Sequence, residues 1–455
     1  MVVRALRVLM LGAVLALPVV QNEPAMAVAP TPAAWDLVGA INQERYSLGL
    51  APVAYLAAID DMAARQARAI ADAGRLFHNA SLGRDAGARV SGWMRVGENV
   101  AYASSVSAIH SSLMASPPHR ANILGDYNYI AVAVVERDGK LWAAQVFLRA
   151  PDGLETVTRV PVKRVHPASN AEAAVAASRA TFASGSASRV VIARQDVFAD
   201  ALAGGPLAGA GRGPVLLTPR DEVAPATIDE TRRVLQPGGT VYLMGGPAAL
   251  SDEVESAFRR AGLATERVAG ADRFETAVQA AQLVNPAPKM ILLVSGSTFA
   301  DAMSATPAAV KARAPLVLAD RDDLPKATLL YLTRHPSATR VVIGGTASVG
   351  DRAALLALAT ERIAGIDRFE TSVLVARRWF ETSTALLVTT GATFQDAAIA
   401  GPLSSRLDAP LILTTTPPSS STYSFVRDRL VQLRRADIVG STDEVPPSAI
   451  ALLLS

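Results

Sequence analysis

Apolar positions fall into three regimes along the chain. Residues 8–20 form an unbroken apolar run of 13 residues. From 35 to about 150, apolar residues recur first at helical and then at strand spacing. Trp35 to Leu48 and Ile59 to Gly74 predict amphipathic helices, the second with Ile59, Met62, Ala63, Gln66 and Ile70 on one face and Gly74 ending it. Ile130–Val135 and Leu141–Phe147 are β-rich runs flanking Arg137, Asp138, Gly139 and Lys140, which predicts a hairpin and an α+β unit. Beyond residue 170 the pattern changes to short buried-type strands alternating with helices: strands at 189–193, 214–218 and 240–244, helices at 201–210, 227–235 and 251–261. Such alternation implies parallel sheets covered by helices. Residues 151–170 carry three prolines, Lys163, Arg164 and no periodicity, so they read as a connector with a solvated basic face.

The third regime repeats. AGADRFETA at 269–277 returns as AGIDRFETS at 364–372, FADA at 299–302 returns as FQDA at 394–397, and a degraded copy, FADALAGGPLAGAGRGPVLLT, runs from 198 to 218. Asp200, Asp301 and Asp396 are equivalent, each followed by Pro at +6 and at +14. All three sit just past a strand, at the sheet edge where α/β proteins bind ligands. An N-cap or Asx turn is the alternative use. Asp272-Arg273 and Asp367-Arg368, each followed by Phe-Glu-Thr, read as a buried ion pair opening a helix, with Phe in the core. No GxGxxG or GxxxxGK[ST] loop occurs at these turns, so a phosphate cradle of that type is not expected.

Half of the 455 residues are apolar and 19% charged, as in globular proteins of several domains. A formal charge of +3 without a basic block gives no reason to expect nucleic acid. Arg4 and Arg7, the apolar run and Ala25-Met26-Ala27 have the three parts of a secretory signal, predicting export after removal of residues 1–27. No later apolar run approaches the ~20 residues a membrane span requires. The chain has no cysteine, so packing alone must hold it. The final ALLLS carries no sorting motif, so retention at a surface is expected to be noncovalent.

Two histidines and a glutamate are the candidate chemistry of the first unit. His78, Glu98 and His119 stand 20 and 21 residues apart, a spacing that by itself leaves surface or capping roles open. Together such groups could hold a divalent metal such as zinc, or act as an acid–base pair. Ser112 and Ser116 near His119 could suggest a nucleophile, against the simpler use of Ser in local backbone bonds at a helix end. His110 reads as a helix-surface residue.

NQERYSLGLAPV at 42–53, FHN at 77–79, GENV at 97–100, SPPHRANIL at 116–124 and QVF at 145–147 resemble, in order and spacing, the CAP superfamily, also called SCP-like extracellular domains. The resemblance implies an α-β-α sandwich with a cleft containing His78, Glu98 and His119, and varied binding or signalling roles in which an enzymatic reaction is the lesser expectation. Leu113 replaces the family's tryptophan, Ser116 its second glutamate, and Ala131 and Ala133 its late-strand glycines. The repeat phrases DRFETA, FxDAxxxxPLA, AP(L/V)xLT and a strand ending in Gly-Gly resemble the cell wall-binding repeat 2 family. That resemblance implies three tandem units in a pseudo-threefold assembly holding an exported protein on anionic polymers of a Gram-positive wall. Unit one lacks the DRFET phrase and unit three has Gly440-Ser441 for Gly-Gly.

The expected organisation is therefore a signal peptide (1–27), a leader (28–34), an α+β CAP-type α-β-α sandwich (35–150), a linker (151–170) and three α/β repeat domains with mainly parallel sheets (171–266, 267–361, 362–455). The expected function is a wall-attached protein presenting a cleft for a small ligand, metal or partner. A secreted hydrolase acting on wall or peptide material through that cleft is the alternative.

Overall fold

The computed structural model describes residues 30–165, 169–299 and 301–455. The expected signal peptide lies outside the described residues. Among the described residues no helix is long and apolar enough to cross a membrane.

Residues 54–157 build a five-stranded sheet in the order 95–103, 140–149, 129–137, 54–56, 156–157, antiparallel except where 54–56 runs parallel to 129–137. The hairpin forms as the sequence predicts, turning at Asp138 and Gly139, both at positive φ (51° and 72°). Strand alternation sends Val100, Trp142 and Ala144 to helix Asp60–Ala73, where they meet Ala67, Ile70 and Ala71. Ala101 and Ala143 face the other way, into a core shared with helices Pro32–Ser47 and Val106–Ala115. Gly74, at φ 63°, stops the second helix in the left-handed C-cap.

The second half contains three four-stranded parallel sheets, each with its strands, named below from first to fourth, in the spatial order second–first–third–fourth. The sheet 187–194, 215–218, 235–244, 265–268 is followed by 290–295, 316–319, 339–343, 361–363. The third sheet takes 385–390, 411–414 and 435–439 from the end of the chain, and its fourth strand is Val162–Val165. The connector reading of 151–170 therefore fails twice, at 156–157, which pairs with 54–56 in the first unit's sheet, and at 162–165. Ala436↔Val162 and Val439↔Val165 are ladder partners, and Val165 is buried. A four-residue strand with one buried face carries too little periodicity to stand out, and its partner lies some 270 residues away.

Each sheet's strand-to-helix crossing delivers one helix to a shared axis: Phe198–Ala210, Ala305–Ala312 and Gln395–Leu407. Phe198, Phe299 and Phe394 open these segments and form a triangle with ring centroids 5.9, 6.1 and 6.3 Å apart. Seven residues on, about two helical turns, the residue before the +6 proline is Gly205, Thr306 or Gly401. A Cβ at Gly205 or Gly401 would stand 2.6 or 2.7 Å from Thr306 Cγ2. A single side chain thus fills the axis at this level and the two glycines give way to it.

The first unit sits on the third repeat. Tyr46 stacks on Tyr423 at 4.7 Å and donates to the Pro418 carbonyl (3.0 Å), Arg159 bridges Asp36 (2.6 Å) to the third repeat by donating its amide to the Leu454 carbonyl (2.9 Å), and Ala451 of helix Pro447–Leu454 joins the first unit's core.

Candidate functional site

One dipeptide of the edge strand 95–103 positions both candidate histidines. Adjacent strand residues point to opposite faces, so Glu98 and Asn99 serve different layers. Glu98, with its side chain almost fully buried, accepts through Oε1 from the Asn79 amide (2.9 Å) and meets His78 Nδ1 at 2.8 Å. Asn99 donates to the His119 carbonyl (3.1 Å) and to Gln145 Oε1 (3.2 Å), and accepts from Asn122 Nδ2 (2.9 Å). His119 lies in helix Pro117–Ile123, opened by proline at its first position, and its Nδ1 meets Ser116 Oγ at 2.8 Å. The two imidazoles come together with ring centroids 6.4 Å apart. Burial, and secondarily the neighbouring His78, lowers the His119 pKa, which favours a neutral ring near pH 7.

This arrangement does not fit the three-donor metal set that His78, Glu98 and His119 suggested. Glu98 stands behind His78, orienting it through Nδ1, and among the described residues no group of three metal-binding side chains assembles. What the cleft offers is two oriented imidazoles with Nε2 left to each, above a carboxylate whose Oε2 is buried without a partner. Ser116 differs from the expected local backbone bond: its hydroxyl makes no cap bond and goes to His119. Ser112 does bond locally, to the Ile109 carbonyl (2.8 Å). His110 is not the surface residue expected. Its side chain is only 13% exposed and faces Glu44 across 3.7 Å, and burial lowers its pKa despite that carboxylate.

In the repeats the three aspartates share one environment, and it is not a cap. Asp200 and Asp396 lie in the first turn of their helices, buried, while Asp301 precedes a 3-10 turn without capping it. Each carboxylate approaches the glycine that ends the unit's third strand: a Cβ on Gly245, Gly344 or Gly440 would be 2.7, 2.8 or 3.0 Å from the aspartate Oδ2. All three glycines have positive φ (90°, 123°, 134°), so the turn and the close approach require the same residue. The residue four positions after each glycine differs: Ala249, Ser348, Glu444. Ser348 donates to Asp301 Oδ2 (2.9 Å). Burial raises the Asp200 pKa, with Arg273 opposing it. Asp396 has a buried, unpartnered Oδ2, and burial followed by the Glu444 charge pushes it up to about 7.

The Asp-Arg phrases also resolve differently. Asp272 and Asp367 are exposed N-caps, accepting from the amides of Glu275 (2.9 Å) and Glu370 (2.8 Å), and they form no ion pair with the arginine that follows. Arg273 and Arg368 instead lean on the axial triangle, over Phe198 at 5.7 Å and Phe299 at 5.9 Å, with Nη1 donating to the Gly296 and Gly391 carbonyls (2.7 and 2.5 Å).

Sequence reading missed a second set of arginines. Arg164, Arg267 and Arg362 stand in the fourth strand of the three sheets and hold the loops after the third strand by their carbonyls. Arg164 reaches Gly440, Ser441 and Val445; Arg267 reaches Gly245 and Leu250; Arg362 reaches Gly344 and Val349, all at 2.6–3.0 Å. The signal was present as arginine followed by Val or Ile before each repeat phrase.

Fold and site together define a two-part protein, a CAP-type sandwich joined to a three-unit α/β ring. The chain belongs to the Cell wall binding domain 2 (CWB2) family, whose profile matches three times, at 164–255, 267–354 and 362–450. Residues 38–147 match the Cysteine-rich secretory protein family, the CAP domain, here without a cysteine. The matched repeats each begin at the strand that completes a neighbouring sheet, so sequence repeat and sheet are out of phase by one strand. N-acetylmuramoyl-L-alanine amidase LytC of Bacillus subtilis is 27% identical over 253 residues, 56% of this chain and 50% of that protein. The Amidase enhancer of the same organism is 26% identical over 260 residues, 56% of this chain and 35% of that one. The chain thus spans half or less of the length of these curated relatives. Among solved structures, Cwp8 from Clostridium difficile superposes with TM-score 0.59 at 24% identity, covering 83% of this chain and 66% of that one. Cwp6 from the same organism gives 0.57 at 23%, covering 67% and 50%. These likenesses are of fold. The chain is a cell-wall-associated protein carrying a CAP domain.

Proposed function

We propose that the three repeats hold the exported chain noncovalently on an anionic polymer of a Gram-positive-type wall, and that the CAP domain presents the His78–His119 cleft to a small polar ligand or partner. The observation that carries this is the ring itself. The family's wall-binding unit occurs three times, its third sheet is completed by strand 162–165, and the CAP domain is seated against that third unit by Tyr46, Arg159 and Ala451. Anchor and cleft are then one body, and the cleft is carried at a fixed attitude to the anchored surface.

The test is retention of the full chain on isolated walls before and after their anionic polymers are stripped. Binding lost on stripping supports the reading; equal binding to both preparations, or to neither, refutes it. For the cleft, His78→Ala with His119→Ala should leave wall retention unchanged while abolishing whatever the CAP domain captures.

A further inference from the structure

The ring has three seams, and they are not chemically alike. At the first, Arg273 opens a helix over Phe198 beside buried Asp200. At the second, Arg368 opens a helix over Phe299 beside Asp301. Here the surface is hollowed into a cleft of about 660 Å³, lined by Phe198, Phe299, Arg368 and the hydroxyl-bearing Ser297, Thr298 and Ser348. The two carboxylates in this cleft are already engaged: Asp367 caps its helix and Asp301 accepts from Ser348. Among the described residues no carboxylate lies within ion-pair distance of Arg273 or Arg368. At the third seam the helix 170–181 is capped by Ser169, and Asn170 stands where the other seams have arginine. Facing it are Phe394, Asp396 and Glu444, the last in the position of Ala249 and Ser348.

We propose that the anionic polymer is gripped at two of the three seams, through Arg273 and Arg368, and that the third seam is excluded from the grip by its missing arginine and its Asp396–Glu444 pair. This rests on the wall reading above and names where the ligand sits. A guanidinium with one edge tied to a carbonyl and its face on an aromatic ring is held in place before the ligand arrives, so little rotamer freedom is lost on binding phosphate or carboxylate. The flanking aromatic faces and hydroxyls suit the sugar portion of an anionic glycan, apolar on one face and hydroxylated at its rim. Two cationic points at neighbouring seams of the ring select a polymer over a free anion, because the second contact is made at high effective concentration. The third seam places Glu444, and Asp396 beside it, where an anion would have to come, and the Glu444 charge opposes entry.

The experiment is retention of the full chain on isolated walls over a NaCl series, with melting temperature as the folding control. Arg273→Gln and Arg368→Gln should each lower apparent affinity about tenfold or more, the scale of one lost charge-assisted hydrogen bond. Asn170→Ala should leave it unchanged. Because Arg273→Gln and Arg368→Gln also give up the Gly296 and Gly391 contacts, a gain-of-function variant complements them: Asn170→Arg with Glu444→Gln should raise retention and steepen its salt dependence. If the wild-type chain ignores walls, the wall reading falls and this assignment with it. If the wild-type chain binds and the folded arginine variants bind equally well, or Asn170→Ala weakens binding as much as they do, the seam assignment alone is overturned.

Discussion

Filling the ring axis should expose its broken symmetry. Gly401→Ala adds one methyl group to helix 395–407, facing Thr306. In an unconstrained helix interior this change stabilises by ~1 kcal/mol, since alanine loses less backbone entropy. Here the new Cβ would lie 2.8 Å from Thr306 Cβ and 2.7 Å from its Cγ2. Ordinary carbon contacts are about 3.5–4.0 Å, so the helices must part by close to an ångström. Overpacking of this kind costs ~1–3 kcal/mol, which outweighs the propensity gain. The net expectation is a loss of about 1–2 kcal/mol, read by calorimetry as a fall in Tm of roughly 2–4 °C per kcal/mol for a body of this size. The rescue pattern discriminates further. Gly205→Ala would meet Thr306 chiefly through Cγ2 (2.6 Å) and Oγ1 (3.0 Å), with Cβ at 3.4 Å, so Thr306→Ala should relieve it. For Gly401→Ala the obstructing atom is Cβ itself, so only Thr306→Gly should restore Tm. Equal rescue of Gly401→Ala by Thr306→Ala, or no destabilisation at all, would refute this account of the axis.

The third unit should lose stability as pH rises. Asp396 titrates near 7 when folded against about 3.9 unfolded, so the native state keeps a proton that the unfolded state releases between those values. Stability contributed by that proton is complete below about pH 4, declines through the window and levels off above 7. Asp396→Asn should therefore flatten the Tm difference between pH 4.5 and pH 8, and an unchanged slope would contradict the assignment. Arg164→Met leaves the carbonyls of Gly440, Ser441 and Val445 without their donor and should cost about 3 kcal/mol, more than Arg362→Met, which frees those of Gly344 and Val349; Arg267→Met frees two carbonyls and also strands Glu255, so it should cost at least as much as Arg164→Met. Thermal melts of the three variants check the order. Exhaustive chelation should leave Tm unmoved, because Glu98 is engaged by His78 and Asn79 and the two remaining imidazole Nε2 atoms make a weak site by themselves; a fall of several degrees would mean that the imidazole pair holds a structural ion.

Elements with strong local signals were legible from the sequence: the hairpin turn at Asp138-Gly139, the stop at Gly74 and the strand–helix alternation of the repeats. What escaped depends on partners distant in sequence. Strand 162–165 takes its meaning from 435–439, and Arg164, Arg267 and Arg362 become visible as a set only when the repeats are aligned a few residues upstream of the DRFET phrase. Residue type misled at two places. Asp272 and Arg273 are adjacent and opposite in charge, yet a capping carboxylate points along its own helix and the arginine reaches for an aromatic ring on another unit. Asp200, Asp301 and Asp396 sit near helix starts, yet the backbone they approach is a glycine on a different strand. In the cleft, spacing could not place His78 beside His119. It was the alternation of Glu98 and Asn99 along one edge strand, seen only in three dimensions, that assigned the glutamate to orienting one ring and the asparagine to holding the other helix.

The fourth strand of the third sheet also sets an order of events. A chain made from its N-terminus presents 162–165 early, while 435–439 emerges some 270 residues later. Until then the third sheet has no edge to receive the strand, and a contact of such sequence separation is slow to form. The first two sheets contain all of their own strands and can complete as they appear, whereas the third must wait, with a short basic segment of Lys163 and Arg164 as its unpaired remainder. Closure of the ring thus reports that the third repeat has been made: a chain that stops short of it has two repeat sheets, a loose strand and no seat for its first domain.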